Sequence, residues 1–302
     1  DITEKDLNGF DVVVHLAGIS INDPFGNLPP ETIYEPTRAY ARAAASLCKK
    51  KGVRFIFASS CSIYGTSGDE LLTEDSLVHP HIEYAKNKLQ VEEDLRALAD
   101  ASFSPMALRF ATAFGSSPRM RFDIVVNMLV GQAIADQKII LNSDGQAWRP
   151  NVHIEDIARA VACAVESPFT GGTLLVLNVG REDNNMKIID IARLVSEETG
   201  APVSFAASIA RGAESELVTN KMVSASGTDA RNYRVSFARI RERFPDFKCR
   251  YSVRDGITEM CARFRGLPLA PEQFRARGFY RIKRLEDLYA AGTIDGEVRW
   301  RK

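Results

Sequence analysis

Short, uninterrupted apolar runs alternate with helical patterns along this chain. Four runs have the length and continuity of strands that are buried on both faces: residues 11–17, 53–58, 105–110 and 173–178. Helical patterns separate or follow these runs: residues 31–50, 84–99 and 156–166. This alternation predicts an α/β fold with a doubly wound parallel sheet. Such sheets bind ligands at the carboxyl ends of their strands, where Gly18, Ser60 and Phe110 fall.

Tyr84 and Lys88 are spaced i, i+4, so a helix would place both side chains on one face. Ser60 comes 24 residues before Tyr84, at the end of a predicted strand. A phenol titrates near pH ~10, and an ammonium group beside it favours the phenolate and lowers that value. Tyr84 could then take a proton from a substrate hydroxyl while Ser60 hydrogen-bonds the same oxygen. An ordinary helix pair has the same spacing, so the rest of the chain decides between the two interpretations.

Several further motifs occur in a fixed order. They are residues 1–2 (DI), 13–18 (VVHLAG), 60–65 (SCSIYG), 84–88 (YAKNK), 108–110 (LRF), 144–149 (DGQAWR) with 152–156 (VHIED), and 177–180 (LNVG). With these motifs the chain resembles the extended short-chain dehydrogenase/reductase family, the NAD-dependent nucleotide-sugar epimerases and dehydratases. The resemblance covers roughly residues 1–260 and implies a Rossmann-type sheet with a smaller α/β substrate domain. It also implies an enzyme of carbohydrate biosynthesis.

The resemblance assigns residues to the cofactor, with NAD the more common choice in the family and NADP left open. The matching positions are Asp1, Ile2, Leu16, Ala17, Gly18, Ser59, Tyr84, Lys88 and Phe110. His15 is interpreted as a structural residue at a strand end. Family members open with a strand, a glycine-rich turn and a helix that holds the pyrophosphate, and this chain has no such segment. We therefore expect a missing unit on the order of 50 to 60 residues before Asp1.

The resemblance also implies a substrate site. Arg149 matches the arginine that meets the diphosphate of the sugar nucleotide, and Asn127 resembles an asparagine that contacts the nucleotide. Thr112 occupies a place where many relatives have a substrate-binding asparagine, which indicates a distinct pocket. Arg119 and Arg121 lie on an irregular stretch and suit a diphosphate, because arginine presents a planar fork of donors. They could equally be solvated surface charges.

The reaction depends on the two residues after Ser60. Dehydratases of the family carry carboxylates there, because expelling water needs an acid and a base besides the tyrosine. Cys61 and Ser62 occupy these positions, so a 4-epimerase is favoured over a standard dehydratase. A keto-sugar reductase, an atypical dehydratase that uses Cys61 or Ser62, and a non-catalytic scaffold remain alternatives. Cys61 is either an acid or base or a buried filler, and Ser62 shares a face with Ser60 if the stretch is extended.

Three units are expected along the chain. Residues 1–112 and 143–180 form the dinucleotide-binding domain, residues 113–142 and 181–264 form the substrate-binding domain, and residues 265–302 form a helical tail. An amphipathic pattern at residues 185–195 predicts a helix that ends near Gly200. Residues 263–284 hold seven basic residues against the single acid Glu272. We interpret this tail as a helix packed on the subunit or its neighbour.

Composition indicates an ordinary globular enzyme. Lys plus Arg and Asp plus Glu both count 39, so no global charge favours nucleic acid or an anionic membrane. No stretch reaches the ~18 apolar residues of a membrane span. The five cysteines have neither metal-ligand spacing nor the density of a disulfide scaffold, so no metal is expected and a reducing cytoplasm is the default. Relatives pair through the helices that correspond to residues 31–50 and 84–99, so a homodimer is expected.

Overall fold

The structure is a computed structural model that describes residues 2–19, 29–206, 232–266, 269–276 and 279–301. The strands are β1 (Val12–His15), β2 (Arg54–Ser60), β3 (Thr66–Leu72), β4 (Met106–Phe110), β5 (Thr112–Phe114), β6 (Ile139–Leu141), β7 (Trp148–His153), β8 (Leu175–Val179), β9 (Asn185–Lys187), β10 (Val203–Phe205) and β11 (Asn232–Val235). The helices are α1 (Pro30–Lys51), α2 (Glu83–Leu98), α3 (Val125–Ala135), α4 (Ile154–Glu166), α5 (Ile188–Thr199), α6 (Ala238–Arg243), α7 (Val253–Gly266), α8 (Pro271–Phe274) and α9 (Arg281–Ala290). Within these ranges, no helix is long and apolar enough to cross a lipid bilayer.

The main sheet is parallel and has the strand order β1-β2-β4-β8. Ser60 at the end of β2 pairs with Phe110 of β4, and Phe110 pairs with Val179 of β8. The carboxyl ends of these strands therefore lie side by side at one edge. The predicted strands and helices coincide with β1, β2, β4, β8, α1, α2 and α4 to within a few residues at each end. The α/β class and the Rossmann-type parallel sheet are thus confirmed.

Helices cover both faces of this sheet, which explains why its strands are apolar without alternation. Phe55 and Phe57 of β2 pack on one face against buried residues of α1 and α2, among them Ala44 and Leu95. Ile56 faces the other side and belongs to a cluster with residues of β4, β8 and α4. Successive side chains of a strand point to opposite faces. A strand buried on both faces must therefore be apolar at every position.

A separate cluster of buried side chains forms between α3, α5 and α7. Leu129 of α3, Ile191 of α5 and Ile257 of α7 are its almost fully buried members that join the three helices. The chain reaches this part directly from the main sheet, because β5 begins two residues after β4 ends. The segment between β5 and α3 therefore starts next to the carboxyl edge of the main sheet.

The C-terminal tail packs on this helical cluster of the same chain. The ring of Phe122 lies 5.0 Å from that of Phe274 and 5.0 Å from that of Phe279. A β-carbon on Gly131 of α3 would lie 2.4 Å from the ring of Phe274, so this close approach needs glycine. The aromatic contacts fix the tail at the start of α9, immediately beside the segment that leads into α3.

The amphipathic pattern at residues 185–195 is helical only in part. α5 begins at Ile188 and is followed by Gly200 with φ of +76°, the predicted end. Residues Asn185–Lys187 instead form β9, antiparallel to the start of β7. The Asn185 amide also exchanges two hydrogen bonds of 2.9 Å with the backbone of Val235. Because these residues pair with β7 and bond to Val235, they form a strand and not the helix that their pattern predicts.

A buried ion pair fastens α2 to the main sheet. Glu92 accepts hydrogen bonds from Nε and Nη2 of Arg109 in β4, at 3.0 Å and 2.6 Å, and another from the Ser59 hydroxyl in β2. Arg109 Nη1 donates to the Tyr64 hydroxyl at 2.9 Å, and Tyr64 donates to Asn178 Oδ1 in β8 at 2.8 Å. This network joins α2 to three adjacent strands.

Replacing Glu92 by glutamine leaves the guanidinium of Arg109 buried without its charged partner. We expect Glu92→Gln to lower the free energy of unfolding by about 3 to 5 kcal/mol. Glu93 is exposed on the same helix, and Glu93→Gln should change it by about 0.5 kcal/mol or less. Urea denaturation of both variants tests this. Equal losses in the two variants would show that the ion pair does not hold α2 on the sheet.

Candidate active site

Helix α2 presents Tyr84, Lys88 and Glu92 on one face, because they recur every four residues. The Lys88 ammonium donates a 2.6 Å hydrogen bond to the Ala58 carbonyl near the end of β2. It also lies 4.6 Å from the centroid of the Phe57 ring, within range of a cation–π interaction. Lys88 is only 6% exposed. The face of α2 that carries Tyr84 and Lys88 therefore covers the carboxyl end of β2, as predicted.

The structure brings together the three residues that the sequence selects for chemistry. Ser60 lies close enough to Tyr84 to favour the ionised form of its phenol. Lys88 Nζ lies 5.7 Å from the centroid of the Tyr84 ring. A serine hydroxyl and a phenol close together, with an ammonium nearby, can hold a substrate hydroxyl and exchange its proton.

Burial has the largest effect on the pKa values of Tyr84 and Lys88. It raises the pKa of Tyr84 above its ordinary value, against the opposing effect of Ser60 and the positive charges of Arg121 and Arg281. It lowers the pKa of Lys88 to about 8, against the charge of Glu92. The predicted depression of the Tyr84 pKa is therefore wrong for this structure. Desolvation of the phenolate outweighs the favourable charges around it.

The residues after Ser60 form a short 3₁₀ helix, Cys61–Tyr64, and not an extended strand. The Ser60 hydroxyl accepts a hydrogen bond from the Ser62 N–H at 3.2 Å and starts this turn. The expectation that Ser62 shares a face with Ser60 through strand alternation is therefore wrong. Ser62 Oγ is buried, and no described residue hydrogen-bonds it.

Cys61 is buried in the core below the strand ends. Its thiol donates to the Arg109 carbonyl at 3.1 Å, and burial raises its pKa well above the ordinary value. A thiol with a raised pKa is a poor acid or base near neutral pH. These observations favour the buried-filler interpretation of Cys61 over an acid–base role.

Arg119 and Arg121 lie on the segment between β5 and α3. Arg119 is exposed, whereas Arg121 binds both carboxylate oxygens of Asp123 at 2.8 Å each. Asn127 is buried, and its amide donates to the Arg121 carbonyl at 3.0 Å and accepts from the Gly115 N–H at 3.1 Å. Asn127 thus fixes the segment that carries both arginines. Its direct contact with a nucleotide stays a prediction.

Thr112 and Arg149 belong to the same small sheet. Thr112 is half-buried in β5 and pairs with Asn151 of the parallel strand β7. Arg149 lies two residues before Asn151 and is 5% exposed, with Nη1 donating to the Trp148 carbonyl at 2.8 Å. Their predicted contacts with the substrate remain predictions.

Apart from Asp1 and Ile2, the residues predicted to bind the cofactor lie along the carboxyl edge of the main sheet or on the helix beside it. Phe110 ends β4, and Ser59 is buried near the end of β2 with its hydroxyl on Glu92. Ile2 is half-buried against the core on the α1 and α2 face of the sheet. Asp1 lies outside the described residues.

The end of β1 has the properties of a ligand-binding surface. Leu16 is apolar yet 65% exposed, and Ala17 and Gly18 are exposed beside it. A β-carbon on Gly18 would lie 3.1 Å from the methyl group of Thr37, so a larger residue would crowd this position. Burial lowers the pKa of His15 to about 4, so the ring is neutral. His15 Nε2 has no hydrogen-bond partner among the described residues. This surface fits a bound dinucleotide.

Glu92 is the residue of the site that sequence reasoning missed. It lies four residues after Lys88 and eight after Tyr84, so it is on their face of α2. A charged residue in the middle of an otherwise core-facing stripe indicates a buried partner. That partner is Arg109. It is a charged residue within an apolar strand run, which likewise indicates a buried charged partner. In the described part of the chain, no group of three or more His, Cys, Asp or Glu side chains could hold a metal ion.

Comparisons with known proteins identify relatives of this chain. The uncharacterized UDP-glucose epimerase YtcB of Bacillus subtilis is 26% identical over 193 residues, 63% of this chain and 60% of that protein. UDP-glucose 4-epimerase of Corynebacterium glutamicum is 26% identical over 222 residues, 67% of this chain and 66% of that protein. The chain thus spans about 60 to 66% of the length of these relatives.

A solved structure shares the fold. MoeE5 in complex with UDP-glucuronic acid and NAD matches with a TM-score of 0.70 and 24% identity, covering 87% of this chain and 82% of that one. The sequence model of the NAD dependent epimerase/dehydratase family matches residues 2–180. Because this match covers more than half of the 302 residues, the protein belongs to the NAD dependent epimerase/dehydratase family.

Proposed function

We propose that this protein is an NAD-dependent nucleotide-sugar epimerase that inverts the carbinol at C4 of the sugar. The observation that carries the proposal is the closeness of Ser60 and Lys88 to Tyr84 at the edge where β2 ends. Relatives named as UDP-glucose epimerases support a UDP-sugar as the substrate.

In this proposal each of the three residues has a separate task. Tyr84 takes the proton of the C4 hydroxyl and later returns it. Ser60 donates a hydrogen bond to the same oxygen and keeps it next to the phenol. Lys88 places a positive charge near the phenol, which favours the phenolate over the neutral form. NAD, when bound, accepts a hydride from the sugar carbon and returns it to the opposite face.

The residues around Ser60 favour epimerisation over dehydration. Loss of water from the sugar needs a further acid and base. The buried Cys61 thiol, with its raised pKa, does not supply them, and a serine is a weaker acid or base than a carboxylate. A 4-keto-sugar reductase would use the same residues with exchanging NADH or NADPH, and is separated from the epimerase by experiment.

Substrate binding is assigned to the second part of the chain. Residues 113–142 and 181–264 form the substrate-binding domain, and residues 1–112 and 143–180 form the dinucleotide-binding domain. Arg149 meets the diphosphate, Thr112 lines the sugar pocket, and Asn127 contacts the nucleotide while it holds the segment that carries Arg119 and Arg121.

The protein is further proposed to be a cytoplasmic homodimer. Helices α1 and α2 pack side by side, joined by two hydrogen bonds of 2.7 and 2.9 Å between Arg38 and Asp94. This pair presents a two-helix surface, and a second copy would complete a four-helix contact.

The full-length protein should convert a UDP-sugar without added cofactor. We would incubate it with UDP-, GDP-, CDP- and dTDP-sugars and follow the products by mass spectrometry and NMR. An isomer of unchanged mass is expected. A product lighter by one water would identify a dehydratase, and turnover only with a 4-keto sugar and added NADH or NADPH would identify a reductase. No change under either condition would favour a non-catalytic scaffold.

Removing the Tyr84 hydroxyl should abolish the proton transfer and leave binding intact. We expect Tyr84→Phe to lower kcat by about 10² to 10⁴, with little change in the Kd of the nucleotide-sugar. Tyr289 is exposed on α9, and Tyr289→Phe is the matched control with unchanged kcat. Initial rates of isomer formation by NMR test this. A Tyr84→Phe enzyme that retains wild-type kcat would exclude Tyr84 as the acid–base group.

Lys88 should be needed for activity, although its buried charge lowers the free energy of unfolding. Its pKa falls from 10.5 unfolded to about 8 folded, so the buried ammonium destabilises the fold fully below pH 8. The penalty declines between pH 8 and 10.5, because only the unfolded chain is then fully protonated. After subtracting the lost hydrogen bond to Ala58, Lys88→Met should raise the free energy of unfolding at pH 7 by about 1 to 2 kcal/mol.

Denaturation of Lys88→Met and of wild type at several pH values tests the predicted effect of Lys88 on stability. The difference in stability should shrink as the pH rises through 8 toward 10.5. The exposed Lys86 on the same helix gives the control Lys86→Met, whose stability should not show this pH dependence. A Lys88→Met protein that is less stable than wild type at pH 7 would refute the prediction.

A further inference from the structure

The C-terminal tail runs along α3 in the direction opposite to that of the helix. Arg275 Nη2 donates a 2.7 Å hydrogen bond to Asp136 Oδ2, at the residue that follows the last turn of α3. Further along the tail, the ring of Phe279 lies 5.0 Å from that of Phe122, shortly before α3 begins. The tail therefore follows α3 from its end back to the segment between β5 and α3.

Phe122 is enclosed by aromatic rings of the tail. Its side chain is fully buried, and the ring of Phe274 meets it edge-on at 5.0 Å between centroids. A β-carbon on Gly131 of α3 would lie 2.4 Å from the Phe274 ring and 3.0 Å from the Phe122 ring. No space for a methyl group is left between the helix and the two rings. Side chains packed this closely have one preferred arrangement, so the tail fixes the position of Phe122.

The conformation of the segment between β5 and α3 depends on this contact. Asn127 of α3 holds both ends of the segment, because its amide donates to the Arg121 carbonyl at 3.0 Å and accepts from the Gly115 N–H at 3.1 Å. Phe122 adds an apolar anchor next to Arg121. Asp123, on the other side of Phe122, binds the Arg121 guanidinium through two hydrogen bonds of 2.8 Å. The Arg121 side chain and its backbone are therefore placed around a residue that the tail holds.

This segment continues from the carboxyl edge of the main sheet. Phe110 at the end of β4 pairs with Ser60, and β5 and then the segment follow along the chain. The proposed function assigns substrate contacts to Arg119, Arg121 and Asn127. Loss of the tail contact would displace these residues, whereas α2, which carries the acid–base pair, would stay fastened to the main sheet.

We infer that Phe274 and Phe279 are positioning residues for substrate binding, which hold the segment between β5 and α3 in the conformation that accepts a nucleotide-sugar. The inference rests on the proposed function, because that function assigns the substrate contacts to this segment. The apparent affinity of a ligand falls in proportion to the fraction of molecules in the binding conformation. The tail is thus required for substrate affinity and not for the acid–base step.

Truncating Phe274 tests this inference. In full-length, NAD-loaded protein we would measure the Kd of UDP-glucose by calorimetry, and its KM and kcat by NMR. We expect Phe274→Ala to raise Kd and KM at least about tenfold and to leave kcat within about twofold, because few molecules would then hold the segment in place. Phe103 is equally buried, at 4% exposure, before the amino end of β4. Phe103→Ala should lower the urea midpoint to a similar extent and leave the Kd unchanged.

Gly131→Ala is a second test that removes no packing. Alanine favours a helix more than glycine does, but its methyl group must displace the Phe274 ring. The Kd of UDP-glucose should therefore again rise about tenfold. Adding Phe274→Leu to this variant makes room for the methyl group and should restore part of the affinity.

Several results would overturn the inference. One is an unchanged Kd in both Phe274→Ala and Gly131→Ala. Another is a loss of affinity in Phe103→Ala equal to that in Phe274→Ala, since affinity would then follow overall stability. A fall in kcat as large as the rise in KM would show that the tail acts on the acid–base step. Failure of the wild-type protein to bind UDP-glucose would instead contradict the proposed function itself, and with it this inference.

Discussion

The buried ion pair between Glu92 and Arg109 sets the orientation of α2, the helix that carries Tyr84 and Lys88. It fixes α2 against β4, while the Ser59 hydroxyl ties the same carboxylate to β2. Tyr84 and Lys88 lie on the same helical face, two turns and one turn before Glu92. A rotation of α2 that moved Tyr84 away from Ser60 would therefore break this ion pair. Leaving either charge buried alone would cost about 3 to 5 kcal/mol, so the helix has one strongly preferred orientation.

The burial of this face of α2 also controls the protonation of Tyr84 and Lys88. Desolvation raises the pKa of Tyr84 and lowers that of Lys88. Both groups are thereby shifted toward their neutral forms, and positive charge near the phenol becomes necessary for base chemistry. Arg121 and Arg281 supply part of it.

Local patterns in the sequence were sufficient for the main sheet and for the common helical face of Tyr84 and Lys88. Apolar runs specify buried strands, and i, i+4 spacing specifies a common helical face. Contacts between distant segments were not accessible in this way. The pairing that makes residues Asn185–Lys187 a strand and the docking of Phe279 on Phe122 depend on tertiary structure. The turn after Ser60 was also missed, because its capping hydrogen bond competes with an extended backbone.

In the proposed mechanism, Tyr84, Lys88 and Ser60 support a hydride transfer that leaves the carbinol carbon and returns to it. The most direct test is turnover of UDP-glucose or UDP-glucuronic acid carrying deuterium at C4, by the full-length protein without added nicotinamide. We expect the C4 epimer with deuterium still on C4, observed by NMR and mass spectrometry. An epimer whose deuterium has exchanged with solvent, or a product that has lost water, would refute this mechanism.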